Sequence, residues 1–149
     1  MYTDTPDPIV AVLTDIARTN FARVILGEIS FVLSGFAVGR GGYVHANPVK
    51  ISALDPSATD LIDQFFPTYG TRKNFELIEY PTPKTAVANC RLASTEAVSA
   101  LGEIGIWGEI IVSNVLMELN TEFLLGIAHF PIVTKTLRQA IVYRVIIQF

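Results

Sequence analysis

The sequence predicts an α+β domain: two helices packed on a mostly antiparallel sheet of five or six strands. Three observations carry that expectation. Between Leu101 and Phe149 three strand-like segments follow one another, and their short connections favour antiparallel pairing. Two other stretches carry apolar residues at helical spacing, each behind a capping residue. Half of the 149 residues are hydrophobic, enough for a single core in a single domain.

The elements follow in order. Residues 1–9 read as an extended arm, because Met1–Pro8 holds two prolines and two aspartates; residues 10–149 form the domain. Thr14 caps a first helix that runs to about Leu26, with Leu13, Ile16, Ala17, Phe21, Val24 and Ile25 close to one stripe and Gly27 as its stop. Ile29–Val38 is β-branched and aromatic, hence a strand, and Gly39, Gly41 and Gly42 end it in a turn. Asp55 followed by Pro56 starts a second helix, with Ala58, Leu61, Ile62, Phe65 and Phe66 on its apolar side and Pro67 as its end. Phe75–Tyr80 is a strand broken by Pro81 and Pro83. Thr85–Ala93 alternates, with the small residues Ala86, Ala88 and Cys90 inward, so something packs closely against it. Glu103–Val112 sets Ile104, Ile106, Ile110 and Val112 against Glu103, Trp107 and Glu109. Phe123–Phe130 and Ile141–Phe149 complete the sheet.

Composition narrows the function. Only 17% of residues are charged, against about 25% in typical domains. So short a chain has much surface to cover, and the shortage implies apolar surface that meets another chain. Net charge is -3 and the basic residues are scattered, which argues against nucleic-acid binding. Cys90 is alone, so no intrachain disulfide forms, and it reads as a small buried thiol. The acidic N-terminus is not a signal peptide, and no apolar run reaches the ~18 residues of a membrane helix.

Chemistry-bearing patterns are sparse. Gly39-Arg40-Gly41-Gly42 follows a strand but lacks the lysine of a phosphate loop and has no helix behind it; a turn is the simpler reading. His45 and His129 have no ligand at metal spacing, so neither metal nor cofactor is expected, and His129 reads as a packed or interface histidine. No GxSxG elbow is present. Glu103 could accept backbone N–H bonds, pair with an arginine, or simply face outward. The candidate interface residues are Trp107, Phe66, Tyr43 and Glu103, the aromatics because such side chains anchor interfaces.

Four segments in order resemble the N-terminal, baseplate-attachment domain of phage tail-collar fibre proteins. They are the helix Thr14–Leu26, the turn Phe36-Ala37-Val38-Gly39-Arg40-Gly41-Gly42, the strand Glu103-Ile104-Gly105-Ile106-Trp107-Gly108, and Ile127-Ala128-His129-Phe130-Pro131 followed by Lys135. Together they span about residues 10–149. Arg40 and Gly108 stand where that family usually carries aspartate. The resemblance implies a freestanding attachment piece: a structural virion protein of a contractile tail, a baseplate or fibre-adaptor subunit, assembled in the bacterial host cytoplasm. It implies a homotrimer, with baseplate wedge and tail fibre proteins as partners and no enzymatic activity. The alternative expectation is a small-ligand or carbohydrate-binding β domain with Trp107 and Tyr43 as stacking platforms.

Overall fold

A computed structural model describes residues 2–44, 50–61, 72–113 and 121–148. The described elements run β1 (Tyr2–Asp4), β2 (Ile9–Leu13), α1 (Asp15–Ile25), β3 (Ile29–Gly39), β4 (Tyr43–Val44), β5 (Lys50–Ile51), β6 (Leu77–Thr82), β7 (Thr85–Leu92), β8 (Ala100–Ser113), β9 (Thr121–Thr134) and β10 (Gln139–Gln148). The expected α+β arrangement of two helices on a five- or six-stranded sheet is corrected: among the described residues the fold is mostly β, with one short helix and a curled, mixed sheet whose main path has seven strands.

The order across that sheet is β3-β8-β9-β2-β10-β7-β6. The long C-terminal strands pair antiparallel, as their short connections require. The N-terminal segments do not: β1 pairs with the start of β10 and β2 with its end, both parallel. The short Ile9–Leu13 run escapes a reading based on alternation, because it is apolar throughout and joined to a proline-rich segment. At the two ends of the sheet, Lys73 exchanges backbone bonds of 2.9 and 3.0 Å with Phe36 of β3. Three residues later, Glu76 N–H donates to Asn89 of β7 at 2.9 Å. This strip draws β3 and β6 toward each other and curls the sheet.

The predicted first helix is present. Thr14 is buried. Its hydroxyl accepts from Ala17 N–H at 3.2 Å and donates to the Leu124 carbonyl at 2.5 Å, so the cap also ties α1 to β9. Gly27 follows at φ +75°, a conformation that suits glycine. The predicted second helix is absent from its expected start. Asp55 Oδ1 instead accepts from Ser57 N–H (3.0 Å) and Ser57 Oγ–H (2.7 Å), and Ala58 N–H bonds the Asp55 carbonyl (3.1 Å). That is a side-chain-closed turn, the usual competitor of a helix at an aspartate. The rest of the expected helix, Ile62–Pro67, lies outside the described residues.

The sheet has two cores. Inside the curl, Phe36, Val38, Ile104, Ile106, Leu125, Tyr143, Val145 and Ile147 pack with the small residues of β7. On the outer face of β3, β8 and β9 lies a second core: Ala37, Trp107, Leu124 and Ile127, covered by Leu54, Ala58 and Leu61. The periodic apolar residues of the 54–61 stretch thus serve as a cover without being helical. Because both faces of β8 are sheltered, every residue from Leu101 to Gly108 is buried.

Candidate functional site

The glycine turn after β3 folds back over β8. Gly42 sits at φ +89°, and a Cβ there would lie 2.3 Å from the Gly102 carbonyl oxygen and 3.0 Å from the His129 ring. A Cβ on Gly102 would lie 2.4 Å from the Gly41 carbonyl oxygen and 2.7 Å from the Tyr43 ring. The two glycines therefore exist to let one backbone lie directly on another. The turn is held there by Ser52 N–H, which donates to the Gly42 carbonyl at 3.0 Å.

What the turn covers is a polar pair. Glu103 and His129 are register partners on β8 and β9. Glu103 Oε2 lies 3.9 Å from His129 Nε2, and neither side chain is more than 3% exposed. His129 Nδ1 is 2.9 Å from the Ser52 carbonyl oxygen. A carbonyl only accepts, so Nδ1 carries the proton and Nε2 is the nitrogen turned toward Glu103.

Ser52 Oγ is 3.5 Å from His129 Nδ1, which brings a serine, a histidine and a carboxylate into one cluster. The arrangement does not activate the serine. Nδ1 already donates to Ser52's own carbonyl, so it has no lone pair with which to take the hydroxyl proton. The cluster fastens the paired strands β4 and β5 to the sheet.

The expected interface residues are placed as follows. Trp107 is 2% exposed, with the Arg72 guanidinium 3.7 Å from its ring centroid. Its indole is occupied within the chain and offers no stacking platform. Tyr43 is half-buried over Gly102 and, with Ile51, Pro131 and Ile132, lines a shallow hollow of about 440 Å³. Glu103 is fully buried, not outward. Phe66 and His45 lie outside the described residues. The structure thus brings Tyr43 and Glu103 together, and sets Trp107 further along the same face. Ser52 and Tyr143 were not singled out by sequence; the pairing of Glu103 with His129 becomes visible only once the β8–β9 register is known.

Two further polar features lie apart. Glu96 accepts from Lys73 Nζ and from Ala93 N–H (2.8 Å), and Lys135, 1% exposed, donates from Nζ to the Ser94 carbonyl (3.0 Å). This network pins the 93–99 loop, which contains Ala97 at φ +49°. Cys90 is buried, and burial pushes its thiol well above the usual range, so it is unreactive. Among the described residues no three His, Cys, Asp or Glu side chains are grouped to hold a metal ion.

Comparison with protein-family models, with curated proteins and with solved structures gives no match for this chain.

Proposed function

We propose that the chain is a structural assembly subunit, and that its setting is the one the tail-collar resemblance implies: a baseplate or tail-fibre adaptor of a contractile phage tail, acting as a homotrimer. The observation that carries the reading is an apolar surface at one end of the domain. Ile25 and Leu26, at the end of α1, are 85% and 71% exposed, and Val112 near the end of β8 is 57% exposed. The chain leads from Leu26 through Gly27 and Glu28 into β3, whose residues Ile29 and Ser30 pair with Ser113 and Val112. The three apolar side chains thus share one end of the molecule, which marks a surface for another chain.

A second observation supports the setting. Three of the four segments that carry the resemblance are neighbours in space: Phe36–Gly42, Glu103–Gly108 and Ile127–Pro131 lie on the adjacent strands β3, β8 and β9 and the turn that covers them. They form one structural unit, so their shared order along the chain has a physical basis.

The test is sedimentation of the purified chain at micromolar concentration, repeated with Leu26→Glu and Val112→Glu together. A trimer that dissociates in the variant, with the β-rich circular dichroism unchanged, is expected. A monodisperse monomer that recruits no tail structural protein would remove the proposal.

A further inference from the structure

The N-terminal strand is shared between two neighbours, and the sharing leaves an opening. β2 pairs with β10 through Ile9, Val10 and Ala11, and with β9 through Val12 and Leu13. Upstream, β1 stays on β10. Among the described residues nothing pairs with β9 on that side beyond Ile127. β9 and the N-terminal segment therefore diverge around a cavity of about 410 Å³, whose walls include Pro8, Ile9, His129, Phe130, Pro131 and Tyr143. That volume falls within the range of small-molecule sites.

One polar atom of a wall residue lacks a hydrogen-bond partner. Tyr143 is 1% exposed, yet among the described residues its hydroxyl bonds to nothing. Leaving a buried hydroxyl unsatisfied is costly, and folded proteins tolerate few such groups. On a residue that borders a cavity, such a group calls for a partner that enters it.

The walls define that partner. The Phe130 and Tyr143 rings, 5.0 Å apart, and the proline rings favour an apolar or aromatic body. Burial, and then the nearby Asp4 carboxylate, push the Tyr143 hydroxyl above its usual range, so it stays a neutral donor. Asp7 lines the opening and the Asp4 charge reaches the Tyr143 hydroxyl, so both carboxylates repel an anion. An extended peptide fits poorly, because Pro6, Pro8 and Pro131 have no N–H to offer a strand.

We propose that this opening binds a small uncharged molecule with an aromatic or aliphatic body and one hydrogen-bond acceptor, which takes the O–H of Tyr143. The proposal goes beyond the assembly reading and stands independently of it. The probes are benzamide and its anionic counterpart benzoate, titrated into the full chain by calorimetry. Benzamide is expected to bind saturably, benzoate more weakly, and Tyr143→Phe to weaken benzamide roughly three- to tenfold. Tyr143→Phe keeps the ring and loses only an unpartnered hydroxyl, so it should fold. Val133→Phe, which fills the cavity from β9, supplies a second variant and is expected to abolish binding. No saturable binding up to millimolar benzamide, equal binding by wild type and Tyr143→Phe, or binding that survives Val133→Phe overturns the proposal and leaves a hydrated gap or an adventitious additive only.

Discussion

Glu103 and His129 face each other across the β8–β9 ladder, Oε2 to Nε2 at 3.9 Å, in a place from which the glycine turn excludes solvent. A polar pair in a dry site is expensive to disturb from one side, because the group left behind keeps its desolvation cost. His129→Leu also removes the bond to the Ser52 carbonyl that holds the β4–β5 pair. The expected loss is about 2–3 kcal/mol. Urea denaturation of the single variants and of Glu103→Leu/His129→Leu checks this. The double variant should lose clearly less than the two singles added together, and strict additivity would show that the pair does not act as a unit.

Two glycines with positive φ should respond very differently to alanine. At Gly27 a new Cβ meets nothing within 4 Å, so only the backbone conformation resists it, at about 1–2 kcal/mol. At Gly42 the same change adds a Cβ 2.3 Å from the Gly102 backbone, on top of the same φ penalty. Gly42→Ala should therefore cost more than Gly27→Ala and should loosen the turn. Hydrogen exchange at Ser52 N–H, which donates to Gly42, reports that loosening directly. Equal melting temperatures for the two variants would contradict the close approach.

How much of this was legible in the sequence depends on what each signal measures. The strands from Thr85 onward were readable because alternation records which side of a strand is apolar. The helix after Thr14 was readable from its cap and its glycine stop. Trp107 shows the limit: alternation placed it opposite the isoleucine face, but only the fold reveals that Leu61 and Arg72 roof that side too. At Asp55-Pro56 the pattern for a helix start is equally the pattern for a side-chain-closed turn. The local bonds to Ser57 decided it, while Leu54, Ala58 and Leu61 satisfied their apolar spacing against Trp107. The Glu103–His129 pair could not be read, since it depends on a register between residues 26 positions apart, across a β-bulge.

The Glu96 network makes stability depend on acid. Burial raises the Glu96 carboxyl, but the Lys73 hydrogen bond, the Ala93 N–H and the charges of Lys73 and Lys135 outweigh it and hold the carboxyl below its usual value. A group depressed in the folded state binds its proton more readily once unfolded. Its contribution is therefore fully present above the unfolded value of about 4.3 and is lost as pH falls through the folded one. Wild-type chain should lose stability below about pH 4.3 more steeply than Glu96→Gln, whose neutral amide cannot titrate. At pH 7 the variant should be the weaker of the two, because Lys73 and Lys135 then face each other without a carboxylate between them. Thermal melts of both proteins from pH 3 to pH 7 test the sign, and curves that stay parallel across that window would show that the lysine–glutamate contact contributes nothing to folding.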